Sequence, residues 1–261
     1  MKVRSFAVLG VILLLSTMGF AGTCAAPTVV PADGRTVDFD FIAAGTTNVY
    51  QVNVTKGHSY SLEVRQDYDP VNTDLSPATI NQGSCAGATE VTTDTHLVDP
   101  AVPANTTRFS FIAAATGTDF IQVVHTVPAG TGRYISVSLA DTTMFGGSYY
   151  TGPGYLASYS FTNTTGATIT GTLTLVDAVG GGVDGTSTIT IPAFSSALVD
   201  TNGSNTNATK MTIAASKLGG AFFVYNGPPG AVLIDAFLQN FTLGATPFTQ
   251  TFQFKPVRQG R

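Results

Sequence analysis

Acidic and amide side chains are concentrated in one short stretch of the chain, DYDPVNTD. Asp67, Asp69, Asn72 and Asp74 supply closely spaced oxygen atoms, and a bound Ca²⁺ takes roughly six to eight oxygen ligands. The spacing differs from that of an EF-hand loop, which needs a glycine at its sixth position and a glutamate at its twelfth. The stretch therefore indicates either a calcium site or a solvent-exposed turn shaped by Pro70.

The other groups that support catalysis or metal binding are widely separated. His58, His96 and His125 lack the short spacing of zinc ligands. The glycine-rich run at 180–185 matches a dinucleotide-binding pattern in letters only, because threonine-rich strands flank it on both sides. The sequence contains no nucleophile-elbow, zinc-protease or phosphate-loop motif. We therefore predict a protein that is not an enzyme and that needs no cofactor, apart from the calcium ion considered above.

Four tyrosines cluster near the middle of the chain, at Tyr149, Tyr150, Tyr155 and Tyr159. Aromatic side chains form platforms for carbohydrate and anchors at protein interfaces. The cluster predicts either a binding site for glycans or surface proteins, or a seam that joins two domains.

The C-terminal segment alternates apolar and polar residues. Phe248, Phe252 and Phe254 lie on it before a basic end. This pattern predicts a final edge strand, or alternatively a strand that completes the sheet of a neighbouring copy. The second interpretation implies self-association through these phenylalanines.

The N-terminus has the organisation of a secretory signal peptide. Lys2 and Arg4 precede an apolar run at 6–15, and small residues end the segment at Ala21. The apolar run is shorter than the roughly 20 residues of a membrane span. We predict cleavage after residue 21, no membrane span thereafter, and a secreted protein of the extracellular space, cell surface or periplasm. An uncleaved anchor and cleavage near Ala25 or Ala26 are the alternatives.

The two cysteines, Cys24 and Cys85, bear on the same question. If both remain after cleavage, an oxidising compartment allows them to form a disulfide. By loop-closure entropy this bond would stabilise the fold by roughly 3–4 kcal/mol. Lipidation of Cys24, or its removal with the signal peptide, are the competing possibilities.

The composition excludes several classes of protein. Only 11% of the 261 residues are charged, the net charge is −4, and threonine and serine make up about a fifth of the chain. A hydrophobic content of 43% argues against disorder, which needs low hydrophobicity and high net charge. The negative charge argues against nucleic-acid binding.

Short runs with a period of two are the elements that must position these residues. The segments at 36–43, 48–54 and 59–65 alternate Val, Phe, Tyr and Leu with polar residues, as antiparallel strands do. This pattern predicts an all-β protein with two antiparallel β-sandwich domains in tandem after the signal peptide. The predicted boundaries are a first domain at 22–141, a glycine-rich linker at 142–154, a second domain at 155–243 and a tail at 244–261.

Residues 36–139 combine an aromatic strand, a glycine turn and a closing strand. The matching residues are Gly117, Phe120, Ile121 and Val123, followed by Gly132, Tyr134, Ile135 and Val137. This region resembles the bacterial pre-peptidase C-terminal domain. The resemblance implies a small secreted β-sandwich that accompanies a hydrolase.

The second half resembles the immunoglobulin-like accessory domains of bacterial surface proteins. Its order is a strand, Asn-Thr-x-Gly, a threonine-rich strand, a glycine turn and a strand ending Ile-Pro-Ala. We therefore expect a secreted, non-catalytic structural, adhesive or accessory binding protein whose partners are surface proteins or glycans. A subunit of an extracellular assembly and an accessory part of a secreted hydrolase system are the alternatives.

Overall fold

The computed structural model describes residues 22–43, 45–66, 78–92, 106–124, 132–203, 205–240 and 248–256. Within these ranges every helix or strand element is a β-strand, so the all-β prediction is confirmed. In the same ranges no helix is long and apolar enough to cross a membrane.

The N-terminal half forms two sheets, one with the strand order β1-β3-β8-β5-β6 and one with the order β2-β9-β4-β7. The pairings are antiparallel except for β1 with β3, which is parallel. The strands are β1 (Thr28–Val29), β2 (Asp33–Ala43), β3 (Thr47–Val54), β4 (Ser59–Gln66), β5 (Ala78–Gln82), β6 (Thr89–Thr92), β7 (Thr106–Ile112), β8 (Gly117–Val124) and β9 (Gly132–Asp141).

These two sheets enclose one hydrophobic core, and we call the unit the N-terminal sandwich. Tyr50 and Ile121 contribute from one sheet, and Tyr60, Leu62 and Phe109 contribute from the other; all five are fully buried. Alternation places these residues inward, because successive side chains of a strand point to opposite faces. The same alternation leaves a polar outer face on the β2-β9-β4-β7 sheet.

The C-terminal half also forms two sheets, with the orders β13-β12-β16-β10-β19 and β15-β14-β11-β17-β18. The β14–β15 pairing is parallel and the others are antiparallel. The strands are β10 (Met144–Tyr150), β11 (Tyr155–Asn163), β12 (Ile169–Asp177), β13 (Val183–Ile191), β14 (Ser196–Thr201), β15 (Thr209–Met211), β16 (Leu218–Tyr225), β17 (Val232–Asn240), β18 (Phe248–Gln253) and β19 (Lys255–Pro256).

A second, separate hydrophobic core lies between these two sheets, which we call the C-terminal sandwich. Phe161 and Phe223 are fully buried at its centre, with ring centroids 4.8 Å apart. The two core clusters share no residue. Each sandwich therefore buries its own apolar side chains.

The segment predicted as a linker, 142–154, is not an irregular connection. Its residues Met144–Tyr150 form β10, which lies inside a sheet between β16 and β19. The alternation is hidden in the sequence because the register shifts between Gly146 and Ser148, at a β-bulge. Met144 and Tyr149 belong to the C-terminal core, so that sandwich begins earlier than the sequence suggested.

The tail completes the C-terminal sandwich of its own chain. Strand β18 pairs with β17, and after it β19 pairs with β10 in the opposite sheet. Between them Phe254 is 7% exposed in the core, and Phe252 is partly buried against it. The sequence offers Phe248, Phe252 and Phe254 as residues that could complete the sheet of a neighbouring copy. In the structure Phe252 and Phe254 instead pack within their own chain. For Phe248 the structure describes only the backbone pairing with Asn240.

A disulfide links Cys24 and Cys85, with Cα atoms 6.0 Å apart. The described segment before β1 is also held by a hydrogen bond of 2.8 Å from Val49 N to Gly22 O. The predicted cysteine pairing is thus present, and it attaches the N-terminal segment to the N-terminal sandwich.

Gly147 provides a test of how the tail is packed. Its φ is +73°, and an added Cβ would lie 2.9 Å from the Phe254 ring and 3.2 Å from the Tyr159 ring. We expect Gly147→Ala to lower the free energy of unfolding by about 2–4 kcal/mol, because backbone strain and overpacking add. Urea denaturation measures this change.

Gly220→Ala is the matched control for this variant. Gly220 is a neighbouring glycine on β16, where an added Cβ would meet nothing closer than 3.9 Å. We expect its stability to remain within about 1 kcal/mol of wild type. Equal effects of the two substitutions would contradict the assigned packing of the tail.

Candidate functional site

The acidic loop Asp67, Asp69, Asn72 and Asp74 lies outside the described residues, as do His96 and His125. Calcium binding there remains a prediction. Among the residues that the structure does describe, no group of three or more His, Cys, Asp or Glu side chains is arranged to hold a metal ion.

The four clustered tyrosines divide into two pairs with different environments. Tyr149 and Tyr159 are 1% and 0% exposed in the C-terminal core, so neither offers a ring face to a ligand. Tyr150 and Tyr155 are half-buried, with ring centroids 4.7 Å apart in an edge-to-face arrangement. Two of the four tyrosines are therefore part of the core of the C-terminal sandwich, and the other two form a half-buried pair.

A charged cluster joins four strand ends of the C-terminal sandwich. Lys217 Nζ lies 2.7 Å from Asp177 Oδ2 and 3.0 Å from Asp184 Oδ1. The Tyr149 hydroxyl donates a hydrogen bond to Asp184. Because β10, β12, β13 and β16 end together here, one ammonium group holds two of these ends by their carboxylates.

The electrostatics of this cluster indicate a structural clamp. Hydrogen bonding to Asp177 raises the pKa of Lys217, and the same bond lowers the pKa of Asp177. Burial, followed by the Asp184 carboxylate, raises the pKa of Tyr149. The lysine therefore stays protonated and the phenol stays neutral, so neither group is prepared to act as a nucleophile.

A buried polar cluster lies where the chain passes from β9 to β10. Ser59 N donates to Thr143 Oγ1 at 2.9 Å, and Thr142 Oγ1 donates to Ser59 Oγ at 2.8 Å. Asp141 accepts a hydrogen bond of 3.0 Å from Thr143 N, and its second oxygen lies 2.8 Å from His58 Nδ1. We call these five residues the junction cluster.

The junction cluster also contacts the C-terminal sandwich directly. Tyr225 N, at the end of β16, donates to Ser59 Oγ at 3.4 Å. The His58 ring packs against Phe145 of β10, with centroids 5.6 Å apart. The two sandwiches are thus joined by side-chain contacts as well as by the chain itself.

The β16–β17 hairpin loop, residues 226–230, extends from the C-terminal sandwich to the β2-β9-β4-β7 sheet. Ser110 Oγ donates to Gly227 O at 3.3 Å. At its base the loop is fixed to β12, because Asn226 N donates to Thr170 O and Thr170 N donates to Asn226 Oδ1. Two cavities adjoin this loop, and together we call them the junction cleft.

The first cavity, the apolar chamber, has a volume of about 410 Å³. Ligand pockets commonly occur between domains and measure roughly 300–1,000 Å³. Among the residues that the structure describes, the lining includes no charged side chain, and Ile112 at its margin is 53% exposed. The residues that line it combine apolar, hydroxyl and amide groups: Ser110, Ile112, Thr172 and Asn226, together with Phe111 and Val224, which are each only 6% exposed.

Paired threonines extend from this chamber along the outer face of β12 and β13. The register places Thr170 opposite Thr190, Thr172 opposite Thr188 and Thr174 opposite Thr186. Thr170 and Thr172 also line the apolar chamber. The chamber is therefore continuous with a surface of hydroxyl and methyl groups.

The second cavity, the polar chamber, has a volume of about 340 Å³. Its wall from the N-terminal sandwich is the outer face of β2, β9, β4 and β7, and its wall from the C-terminal sandwich is the hairpin loop. The lining includes Thr36, Ser61, Ser138, Glu63, Arg65, Arg108, Pro228 and Pro229.

Glu63 holds both arginines of the polar chamber. Arg108 lies directly opposite Glu63 across the β4–β7 pair; its Nε donates to Glu63 Oε2 at 3.0 Å, and its Nη2 contacts the same oxygen. Arg65 Nε donates to Glu63 Oε1. Burial acts to raise the pKa of Glu63, but the hydrogen bonds from the two arginines prevail and lower it.

Sequence reasoning did not identify Glu63, Arg65 and Arg108 as a group. The alternation in SYSLEVR indicates that Glu63 and Arg65 share a face, but Arg108 is 45 residues further along than Glu63. Opposite charges in two apolar strands are the only signal for this pairing, and choosing between possible partners requires the strand order.

Comparisons with known proteins do not place this chain in a family. No family model matches it, and no curated protein matches it. Two solved structures of glycosyl hydrolase family 2 members from Bacteroides cellulosilyticus were compared with it at 11% identity. One match covers 90% of this chain and 31% of that protein with a TM-score of 0.20, and the other covers 82% and 29% with a TM-score of 0.18. The chain spans about a third of their length, and the similarity is too low to support an argument.

The Glu63 network predicts a pH dependence of stability. The folded-state pKa of Glu63 is lowered, so its contribution is present at neutral pH and is lost as pH falls through the folded value. We expect Glu63→Gln to lower the free energy of unfolding by about 1–2 kcal/mol at pH 7, because two partly solvated arginines lose their acceptor. The difference in the free energy of unfolding between Glu63→Gln and wild type should be smaller at pH 3 than at pH 7. Urea denaturation at both pH values measures it, and a difference independent of pH would contradict the assignment.

Proposed function

We propose that this chain is a secreted, non-catalytic protein that binds extracellular glycans through the junction cleft, as an adhesive or accessory module. The observation that carries this proposal is the apolar chamber between the two sandwiches. It is uncharged, it combines apolar and hydroxyl-bearing side chains, and it continues onto the paired threonines of β12 and β13.

Neutral sugars suit such a lining. A pyranose ring has an apolar C–H face that packs on the exposed Ile112 side chain, and hydroxyl groups that exchange hydrogen bonds with threonine, serine and asparagine. Neither the sugar nor this lining carries a charge, so binding does not require an ion to be desolvated. The chemistry of the chamber therefore favours a glycan over a strongly charged ligand.

The fixed relationship of the two sandwiches also supports binding at this place. The Ser59 and Ser110 hydrogen bonds hold the walls of the cleft in position before a ligand arrives. A preformed site loses less conformational entropy on binding than one that has to be assembled.

The non-catalytic part of the proposal rests on the state of the ionisable groups. Glu63 at the cleft is held in its ionised form by two arginines, so it is not suited to donate a proton as a general acid at neutral pH. Lys217 is held protonated by its aspartates. Secretion is supported by the signal-like N-terminus and by the Cys24–Cys85 disulfide, a bond typical of oxidising compartments.

A glycan-array experiment tests the proposed function. The mature wild-type protein should be retained on a defined set of neutral glycans, and Ile112→Arg should reduce that retention at least tenfold by placing a charge at the margin of the chamber. Leu233→Arg is the matched control, because Leu233 is similarly exposed at 57% but lies on β17, in the sheet that does not line the chamber. Retention that survives Ile112→Arg, or the absence of any retained glycan, would overturn the proposal.

A further inference from the structure

The polar chamber differs from the apolar chamber in its charge. Among the lining residues that the structure describes, Arg65 and Arg108 face one carboxylate, that of Glu63, which leaves one positive charge. The neighbouring Arg35 is paired with Asp33 at 2.6 Å and adds no net charge. The whole chain, by contrast, carries a net charge of −4 with only 12 basic residues. Positive charge is therefore concentrated at this cleft against the overall charge of the protein.

The two arginines are already ordered. Glu63 contacts Arg65 through Nε and contacts Arg108 through Nε and Nη2. The Arg108 side chain is only 18% exposed, whereas that of Arg65 is 56% exposed. A guanidinium held in place loses little side-chain entropy when an anion binds. Arg65 contacts Glu63 through Nε. The terminal nitrogens of Arg65 take no part in that contact, and the side chain is more exposed than that of Arg108.

The other residues that line the polar chamber indicate which kind of molecule carries the anion. Thr36, Ser61 and Ser138 line the chamber from the sheet, and Pro228 and Pro229 line it from the hairpin loop. Hydroxyls on one side and an apolar surface on the other suit a sugar ring. A planar carboxylate is the anion that matches the fork geometry of a guanidinium.

We propose that the polar chamber binds a carboxylate-bearing sugar residue, with the carboxylate on Arg65 and Arg108 and the ring between the serine hydroxyls and the proline pair. This inference rests on the proposed function, since it assigns an acidic residue to the glycan bound at the junction cleft.

Isothermal titration calorimetry with the full mature chain tests the proposal. The probes are a galacturonic acid tetramer, its fully methyl-esterified form and the galacturonic acid monomer. We expect the acidic tetramer to bind at least tenfold more tightly than the esterified tetramer, with an affinity that falls as salt rises, because an ion pair is screened. Tight binding of the monomer would identify a free acidic sugar as the ligand, and preference for the tetramer would identify a polysaccharide.

Two variants assign the effect to the chamber. Arg65→Gln should weaken binding of the acidic tetramer about tenfold and leave the esterified form unaffected. Lys210→Gln removes the same charge from an exposed position on β15, in the other sandwich, and should change neither.

The outcomes separate this inference from the proposed function. Equal binding of the acidic and esterified tetramers, or equal weakening by Arg65→Gln and Lys210→Gln, overturns the carboxylate site. If neutral glycans are still retained in an Ile112-dependent way, the glycan-binding function stands without it. If no glycan of either kind binds, both proposals fail.

Discussion

The buried hydrogen bonds around Ser59 are the constraint on which the rest of the structure depends. Ser59 begins β4, and its backbone and hydroxyl groups bond to Thr142, Thr143 and Tyr225. The first two lie between β9 and β10, and the third ends β16. Ser59, Thr142 and Thr143 are nearly inaccessible to solvent, so any rotation of one sandwich against the other would leave buried polar groups unsatisfied. These bonds hold the β9–β10 connection and the end of β16 against the start of β4.

The scarcity of charge in the sequence has a structural consequence at this junction. Small hydroxyl side chains satisfy buried backbone groups without the large desolvation cost of an ion. Threonine serves here as a buried partner, as at Thr142 and Thr143, and as an outward-facing strand residue, as in the pairs formed by Thr170 with Thr190 and by Thr172 with Thr188. One residue type therefore holds the junction closed and also gives the adjoining sheet face its uncharged surface.

The strands were largely predictable from the sequence, because each depends on local alternation. Runs such as SYSLEVR reveal which residues face inward without knowledge of their partners. The features that were missed depend on contacts distant in sequence. Strand β10 was mistaken for a linker because the Gly146–Gly147 bulge interrupts its alternation, and the fit of that bulge against Phe254 is visible only after the tail is placed. The pairing of Glu63 with Arg108 depends on β4 lying beside β7, although β5 and β6, which separate them in sequence, belong to the other sheet.

The few charges of this protein are informative because its strand surfaces are filled by threonine and serine. A sheet that needs only solubility can use isolated lysines and glutamates, which contribute little stability. Here Lys217 bridges two carboxylates where strand ends converge, and Glu63 bridges two arginines where the sandwiches meet. The first arrangement has more acids than bases and lies where the strands that it ties together end. The second has more bases than acids and lines a cavity. The sign of the excess charge and its position at a cavity separate a structural clamp from a site with charge available for a ligand.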